Sequence, residues 1–456
     1  MKRIFIITIA IFFSLHLRAQ DNTWDISHAA NGNFNIKSED GKYRFTPGGR
    51  FTFDGAYMFE DITPLSAGTM IKEARFNMAF KIDRMNIFME MDFAKKKVTF
   101  KDITLRYNFT DHSFIKIGHF GEPFSANYLI TNEKFSFVGR PSTATAFAPG
   151  RNLGITYRHY QKHFWFEGGI FGDDVSQKYQ GKDGYGFSGR FVYIPIDIPN
   201  AHLHVAVAGS YRTGDSRGLD EDGSGKYNRK LNYTAGLQTS VDSQKFLTAY
   251  IGPSGKDSYG QTDLEDLQNG GAKNQIQFDV EILDVYRKFY WQAEYISTTV
   301  NRILHKDKIL YFERDGSLYP ETWEDISYKY GNARPLHFYG YYVQASYLIF
   351  GENFKYSRYS STLKRLTKQS LQFSVRYNYT TLNDIEGEYI NGKFYTDKGV
   401  NMSVAGGDTS SMSAAFNYVH NANVRFIVEY TRQKIRQFMK PEENIGILQA
   451  RMQVLF

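Results

Sequence analysis

The sequence predicts an all-β fold: a transmembrane antiparallel β-barrel of sixteen to eighteen strands. Three observations predict it. Apolar and polar residues alternate strictly in runs of about 9–11 residues, the length a tilted strand needs to cross the hydrocarbon. Connections between the runs alternate between short and long. Finally, 38 Phe, 33 Tyr and 4 Trp sit in a chain that is only 42% hydrophobic. A barrel with one wall in lipid and a wet lumen accommodates that combination, and a stack of soluble domains does not.

Residues 1–20 read as a secretory signal peptide. Lys2 and Arg3 precede an apolar run from Ile4 to Phe13, and Ala19 is a small residue suited to cleavage. No later apolar run is long enough for a spanning helix, which excludes a helical membrane protein. Residues 21–42 are polar and aperiodic and read as a short periplasmic lead-in; the barrel domain is expected over 43–456. Export plus a barrel implies the outer membrane of a Gram-negative bacterium, with membrane lipid and lipopolysaccharide as neighbours.

The first clear run sets Ala74, Phe76, Met78 and Phe80 against Glu73, Arg75, Asn77 and Lys81. After the two-residue turn Asp83-Arg84, Ile87, Met89, Met91 and Phe93 oppose Asn86, Glu90 and Asp92. Ile103, Leu105, Tyr107 and Phe109 then oppose Asp102, Thr104, Arg106 and Asn108. The pattern returns at Leu203–Tyr211, Ile276–Ile282, Leu371–Tyr377, Val424–Tyr430 and Leu448–Phe456. Short connections fall at 83–84, 110–113, 161–163 and 420–423; long ones fall at 59–70, 121–151, 213–229, 252–274, 299–337 and 381–410. Short periplasmic turns and long external loops are the expected asymmetry.

Parity places Arg75, Lys81, Arg106, Arg158, Arg190, Arg376 and Arg425 on the lumen wall, with Asp279, Glu281 and Glu294 forming an acidic sector. A wide barrel needs a charged constriction to select solutes, and two segments are candidates. Segment 121–151 is long, nearly neutral and rich in turn residues, and contains Arg140 and Arg151. Segment 351–369 carries Lys355, Arg358, Lys364, Arg365 and Lys368 against Glu352, on the side where turns should be short. Folding into the lumen explains a long basic connection there. Lys95, Lys96, Lys97 and Lys101 read as an external hairpin facing lipopolysaccharide phosphates.

Other chemistries lack support. The net charge of +7 falls to +4 without Lys2, Arg3 and Arg18, too weak for nucleic-acid binding. There is no Cys, hence no disulfide or thiolate metal site. Gly214-Asp215-Ser216-Arg217-Gly218 matches a nucleophile elbow but lies in a polar loop. His202 and His204 share a face without a third ligand, and Asp220-Glu221-Asp222-Gly223 lacks the rest of a calcium loop. No catalytic residue, metal or cofactor is expected.

Five blocks in order resemble the phosphate-selective porin family (porins O and P). These are Glu73-Ala74-Arg75 through Glu90-Met91-Asp92-Phe93; Gly118-His119-Phe120-Gly121-Glu122-Pro123-Phe124-Ser125; Arg140 with Ala146 to Ile155; Gly340 to Tyr347 with Gly351-Glu352; and Asn417-Tyr418 with Asn421 to Arg425 and Tyr430. The resemblance spans roughly residues 45–456. It implies a homotrimer of sixteen-stranded barrels, inward-folded connections, and basic lumen side chains that guide phosphate or other small anions. The alternative is a general diffusion porin for small hydrophilic solutes.

Overall fold

The computed structural model describes residues 24–456 except 29–33, 96, 176–183, 214–230, 252–271, 303–309, 315–316, 322–334, 386–387, 391–392, 396–403 and 439. The expected signal peptide and the motifs at 214–218 and 220–223 lie outside the described residues.

Sixteen antiparallel strands close into a barrel. They are β1 (Tyr43–Phe59), β2 (Gly68–Ile82), β3 (Met85–Asp92), β4 (Thr99–Thr110), β5 (Ser113–Gly121), β6 (Arg151–Tyr160), β7 (Phe164–Phe171), β8 (Gly186–Ile198), β9 (Ala201–Thr213), β10 (Ala272–Tyr286), β11 (Phe289–Arg302), β12 (Leu336–Phe350), β13 (Ser370–Asp384), β14 (Val404–Val419), β15 (Val424–Arg436) and β16 (Glu443–Leu455). Each pairs with its sequence neighbours, and β16 pairs with β1 from Gly446↔Phe59 to Leu455↔Arg50. Phe456 continues the seam: its amide donates to the Gly49 carbonyl at 3.1 Å and its carbonyl accepts from the Gly49 amide at 2.9 Å. Closure removes both sheet edges, as a barrel in lipid requires.

The alternation holds. On β9, Val205 and Val207 are exposed on the outer face while His204, Ala206 and Ala208 are buried inside. Phe76 faces outward as expected. Outer aromatics pair across strands, as in Phe164–Tyr193, Phe109–Tyr157 and Tyr339–Tyr379, the kind of belt that anchors a barrel at its interfaces.

Two expectations about chain organisation change. The lead-in contains two paired strands, Trp24–His28 and Phe34–Ser38, and the second joins β1 through Ile36↔Phe45. The stretches 213–229 and 252–274 are not separate loops between barrel strands. They belong to one connection from β9 to β10, which carries a hairpin of Leu231–Gly236 and Lys245–Ile251. That hairpin pairs with no wall strand; its alternating pattern mimics a spanning strand because one of its faces is buried.

Connections at one end are short: 83–84, 111–112, 161–163, 199–200, 287–288 and 420–423. The seventh connection at that end, 351–369 between β12 and β13, is the exception.

Candidate functional site

Among the described residues, three connections fold inside the barrel. The first, between β5 and β6, contains α1 (Ala126–Leu129), a 3-10 turn at Asn132–Lys134 and α2 (Ser142–Phe147). Its start is fixed by Glu122, fully buried, which accepts from Asn152 Nδ2 at 2.6 Å and pairs with Arg212. The inward turn is tight: Ser125 adopts φ 61° and accepts the Tyr128 amide at 3.2 Å. Further on, Phe124, Phe147 and α2 pack with Tyr233, Leu247 and Ala249 of the hairpin, and with Phe338 and Ile296 of the wall. This half of the lumen is therefore filled like a soluble core. The segment and the hairpin interlock so closely that a Cβ at Gly139 would lie 2.1 Å from the Gln238 carbonyl.

Wall arginines hold the segment. Arg425 donates to the carbonyls of Glu133 at 2.5 Å and Phe135 at 2.7 Å. Arg376 donates to Gly139 O at 2.9 Å and to Gln238 Oε1 at 2.5 Å, and lies over the Phe137 ring at 4.2 Å. Arg50 pairs with Glu133 of the 3-10 turn and with Glu73 at 2.8 Å. Within the segment, Arg140 donates to the carbonyls of Asn127 and Ile130 and lies 4.3 Å from the Phe135 ring. Burial pushes its guanidinium down to about 10, still charged at neutral pH. These guanidiniums are taken up in anchoring backbone.

The connection 351–369 also enters the lumen, from the short-turn end. Its tip, not its base, is inserted. Phe354, Tyr356, Ser361 and Thr362 are buried. Tyr356 stacks on His202 at 5.4 Å, and the Ser361 hydroxyl meets Arg190 at mid-wall. The Tyr359 ring lies against Arg106, Arg158, Phe114 and Tyr160. Its cations divide. Lys355 and Lys368 are well exposed at the barrel mouth, where both pair with Glu352, and Arg358 pairs with Asp197. Each of these three cations therefore has a carboxylate partner, while an apolar, aromatic tip enters the lumen, where it displaces water at lower cost than charges would. Lys364 lies in the same cleft as Lys134, Glu133 and Arg425. Arg365 is within the field of Glu133 and Arg50.

The remaining lumen exposure is on β2–β6. Arg75 faces Glu73 at 2.6 Å and Glu90 at 2.7 Å; Arg151 faces Asp102 at 2.7 Å; Lys116 faces Glu167 at 2.8 Å. Arg158 shares Glu167. Lys101 is 26% exposed on β4 beside Asp92, so it belongs to the wall and not to an external hairpin. Lys81 is exposed at the short-turn end, opposite Arg44 and Asn86, below the narrowed zone. Sequence reasoning missed Lys134, Lys116 and the inward hairpin. Lys134 looked like an ordinary loop lysine, and the hairpin's signal was the great length of 214–271, which an unstructured loop does not justify.

A barrel of sixteen strands with connections folded inward against a charged wall is the architecture of a diffusion channel. The family model for phosphate-selective porin O and P matches residues 48–456. The chain belongs to this family. This porin is therefore an outer-membrane protein of the Gram-negative envelope and a passive channel. Similar solved structures include the outer membrane channel DcaP of Acinetobacter baumannii, with 12% identity, TM-score 0.48, and coverage of 92% of this chain and 99% of that one. OmpT of Vibrio cholerae with loop L8 deleted is 10% identical, with TM-score 0.48, covering 90% and 99%. OmpF of Salmonella typhi is 11% identical, with TM-score 0.46, covering 91% and 98%. No curated protein matches the porin's sequence.

Proposed function

We propose that the porin prefers small anions of the phosphate type, and that the preference is set where two of its inward connections, 122–150 and 351–369, meet. The observation that carries this is the cleft shared by Lys134, delivered from the external side, and Lys364, delivered from the periplasmic side, with Arg365 close to both Glu133 and Arg50. Lys134 is half-buried, and burial holds it below lysine's ordinary value, so its charge is less hydrated than a surface lysine's. A charge pair at 4 Å is worth about 1 kcal/mol in bulk water but about 4 kcal/mol at an effective dielectric of 20. Lysine point charges also release an anion more readily than forked arginines, which suits passage. By family expectation the channel assembles as a homotrimer.

The wall supports a second reading. Arg75, Arg151, Lys116 and Arg158 all have carboxylate partners, so the passage apart from the cleft is close to neutral, as a general diffusion porin would have it.

Reversal potentials in a KCl gradient across planar bilayers separate the two. Lys134→Glu with Lys364→Glu should turn the channel toward cations and remove block by phosphate. Lys355→Glu with Lys368→Glu, at the mouth, should shift selectivity far less. A parent-like reversal potential in the first double variant would sink the cleft as the selecting element and leave the general porin.

A further inference from the structure

The acidic sector on the inner face of β10 and β11 meets the backbone amides of α1. Glu281 and Glu294 are register partners, and Asp279 is on the same inner face two residues earlier. Carboxylate oxygens of all three lie within 4.8 Å of one another. Asp279 is 0% exposed and the other two 2% each.

Their partners are unequal. Glu281 is well served: Arg190 Nε donates at 2.5 Å, the Ala126 amide at 2.9 Å, and His204 Nε2 lies at 3.2 Å. One oxygen of Glu294 accepts from the Tyr342 hydroxyl at 2.7 Å and the Asn127 amide at 3.4 Å; its other oxygen has no partner in hydrogen-bond geometry, and the Ser125 hydroxyl is the one further donor that approaches the carboxylate. Asp279 has no donor on either oxygen; the Ser125 amide approaches it without meeting hydrogen-bond geometry. Asn127, whose backbone amide reaches Glu294, and Gln277, two residues before Asp279, each also carry a buried amide oxygen without a donor. Every unpartnered atom on these five residues is an acceptor, and one arginine balances three carboxylates. Buried carboxylates without compensation are strongly unfavourable. A surplus of hard oxygen acceptors with no donors is the ligand set of a hard cation.

We propose that Asp279, Glu294 and Glu281 bind a divalent cation of the calcium type, which fastens α1 and the constriction segment to the β10–β11 wall. Calcium takes oxygen ligands at about 2.3–2.6 Å in irregular geometry, so donors up to roughly twice that distance apart fit around one ion. Magnesium demands a tighter octahedron, which this mixture of carboxylates on two strands does not supply. The cluster shares no residue with the cleft of Lys134 and Lys364.

The test uses the full-length porin, refolded in detergent without lipopolysaccharide, since that lipid itself carries calcium. After equilibration with calcium and desalting, metal analysis should find about one calcium ion per chain. EGTA should lower the temperature at which the barrel unfolds. Terbium should bind the same site and luminesce through the adjacent Tyr342. The variant Asp279→Asn with Glu294→Gln should lose the calcium and the terbium signal, and its unfolding temperature should no longer respond to EGTA. Wild-type protein that retains no calcium and unfolds at one temperature with and without EGTA overturns the proposal: protons or water then satisfy the cluster. That wild-type result decides even if the double variant fails to assemble.

Discussion

The two inward connections that line the cleft reach it by opposite means. Segment 122–150 is nearly neutral and is gripped by the wall: Arg50, Arg376 and Arg425 reach into it and bind its carbonyls and Glu133. Segment 351–369 is strongly basic, yet apart from the Arg358–Asp197 pair it grips the wall with uncharged groups, through Tyr356, Tyr359 and Ser361. Charge in the sequence therefore does not mark charge in the pore. The wall arginines, the more conspicuous cations, are largely structural, while the cleft is served by Lys134 from the neutral segment and Lys364 from the basic one.

The comparison breaks most visibly at Arg425. Arg425→Gln withdraws a buried guanidinium from carbonyls at 2.5 and 2.7 Å, and charged hydrogen bonds of this kind contribute about 1.5–3 kcal/mol each. The 3-10 turn should come loose, widening the passage while the barrel survives. Higher single-channel conductance, with a lower urea midpoint, is the expected result. Unchanged conductance would mean that Arg425 does not hold the turn and that packing of α2 alone positions the segment.

Tyr359→Ala should act more weakly on the other connection. The ring lies 5.7 Å from the Arg106 guanidinium and 5.2 Å from that of Arg158. Cation–π contacts are worth about 0.5–1 kcal/mol when exposed and about 2 when desolvated. Loss of both should raise conductance modestly and make it noisier as the tip moves. Since Phe354 and Ser361 remain in place, selectivity should persist; a loss of selectivity equal to that of Lys134→Glu with Lys364→Glu would show that Tyr359 itself lines the selecting site.

How legible this was differs between wall and lumen. Strand parity is local: Phe76 or Val205 reveals its face by its neighbours alone, because lipid imposes a period of two. Segment 351–369 was legible because its length violated the short-turn rule at its end of the barrel. The lumen filling was not. Arg376 and Arg425 read as displayed wall cations, since parity gives the direction of a side chain but not what a distant loop brings against it. The hairpin at 231–251 imitates a barrel strand for the same reason: a two-faced strand inside a filled lumen and one in the wall obey the same alternation. Lys134 carried no local signal at all; its place follows from Glu133 meeting Arg50, a contact across 83 residues of sequence.

The smallest effect expected is at the mouth, and it sharpens the contrast between mouth and cleft. Hydrogen bonds from Lys368 and then Lys355 hold the Glu352 carboxyl below its ordinary value. A lowered carboxylate contributes its stabilisation above the unfolded value of about 4.3 and loses it as pH falls through the lower folded value. Glu352 is fully solvated, so the contribution is slight. Its electrical consequence is still measurable. Between pH 8 and pH 5 the wild-type mouth should keep Glu352 ionised, and the reversal potential of Glu352→Gln should lie slightly to the anion side of it. Only as pH falls below the ordinary carboxylate range should the wild type approach the variant, because protonation removes the same charge that the substitution removes. Both should keep the preference set by Lys134 and Lys364 throughout. If Glu352→Gln moves the reversal potential as far as charge reversal in the cleft does, the mouth lysines are the selecting charges, and the basic base of 351–369, not its meeting with Lys134, governs which ions pass.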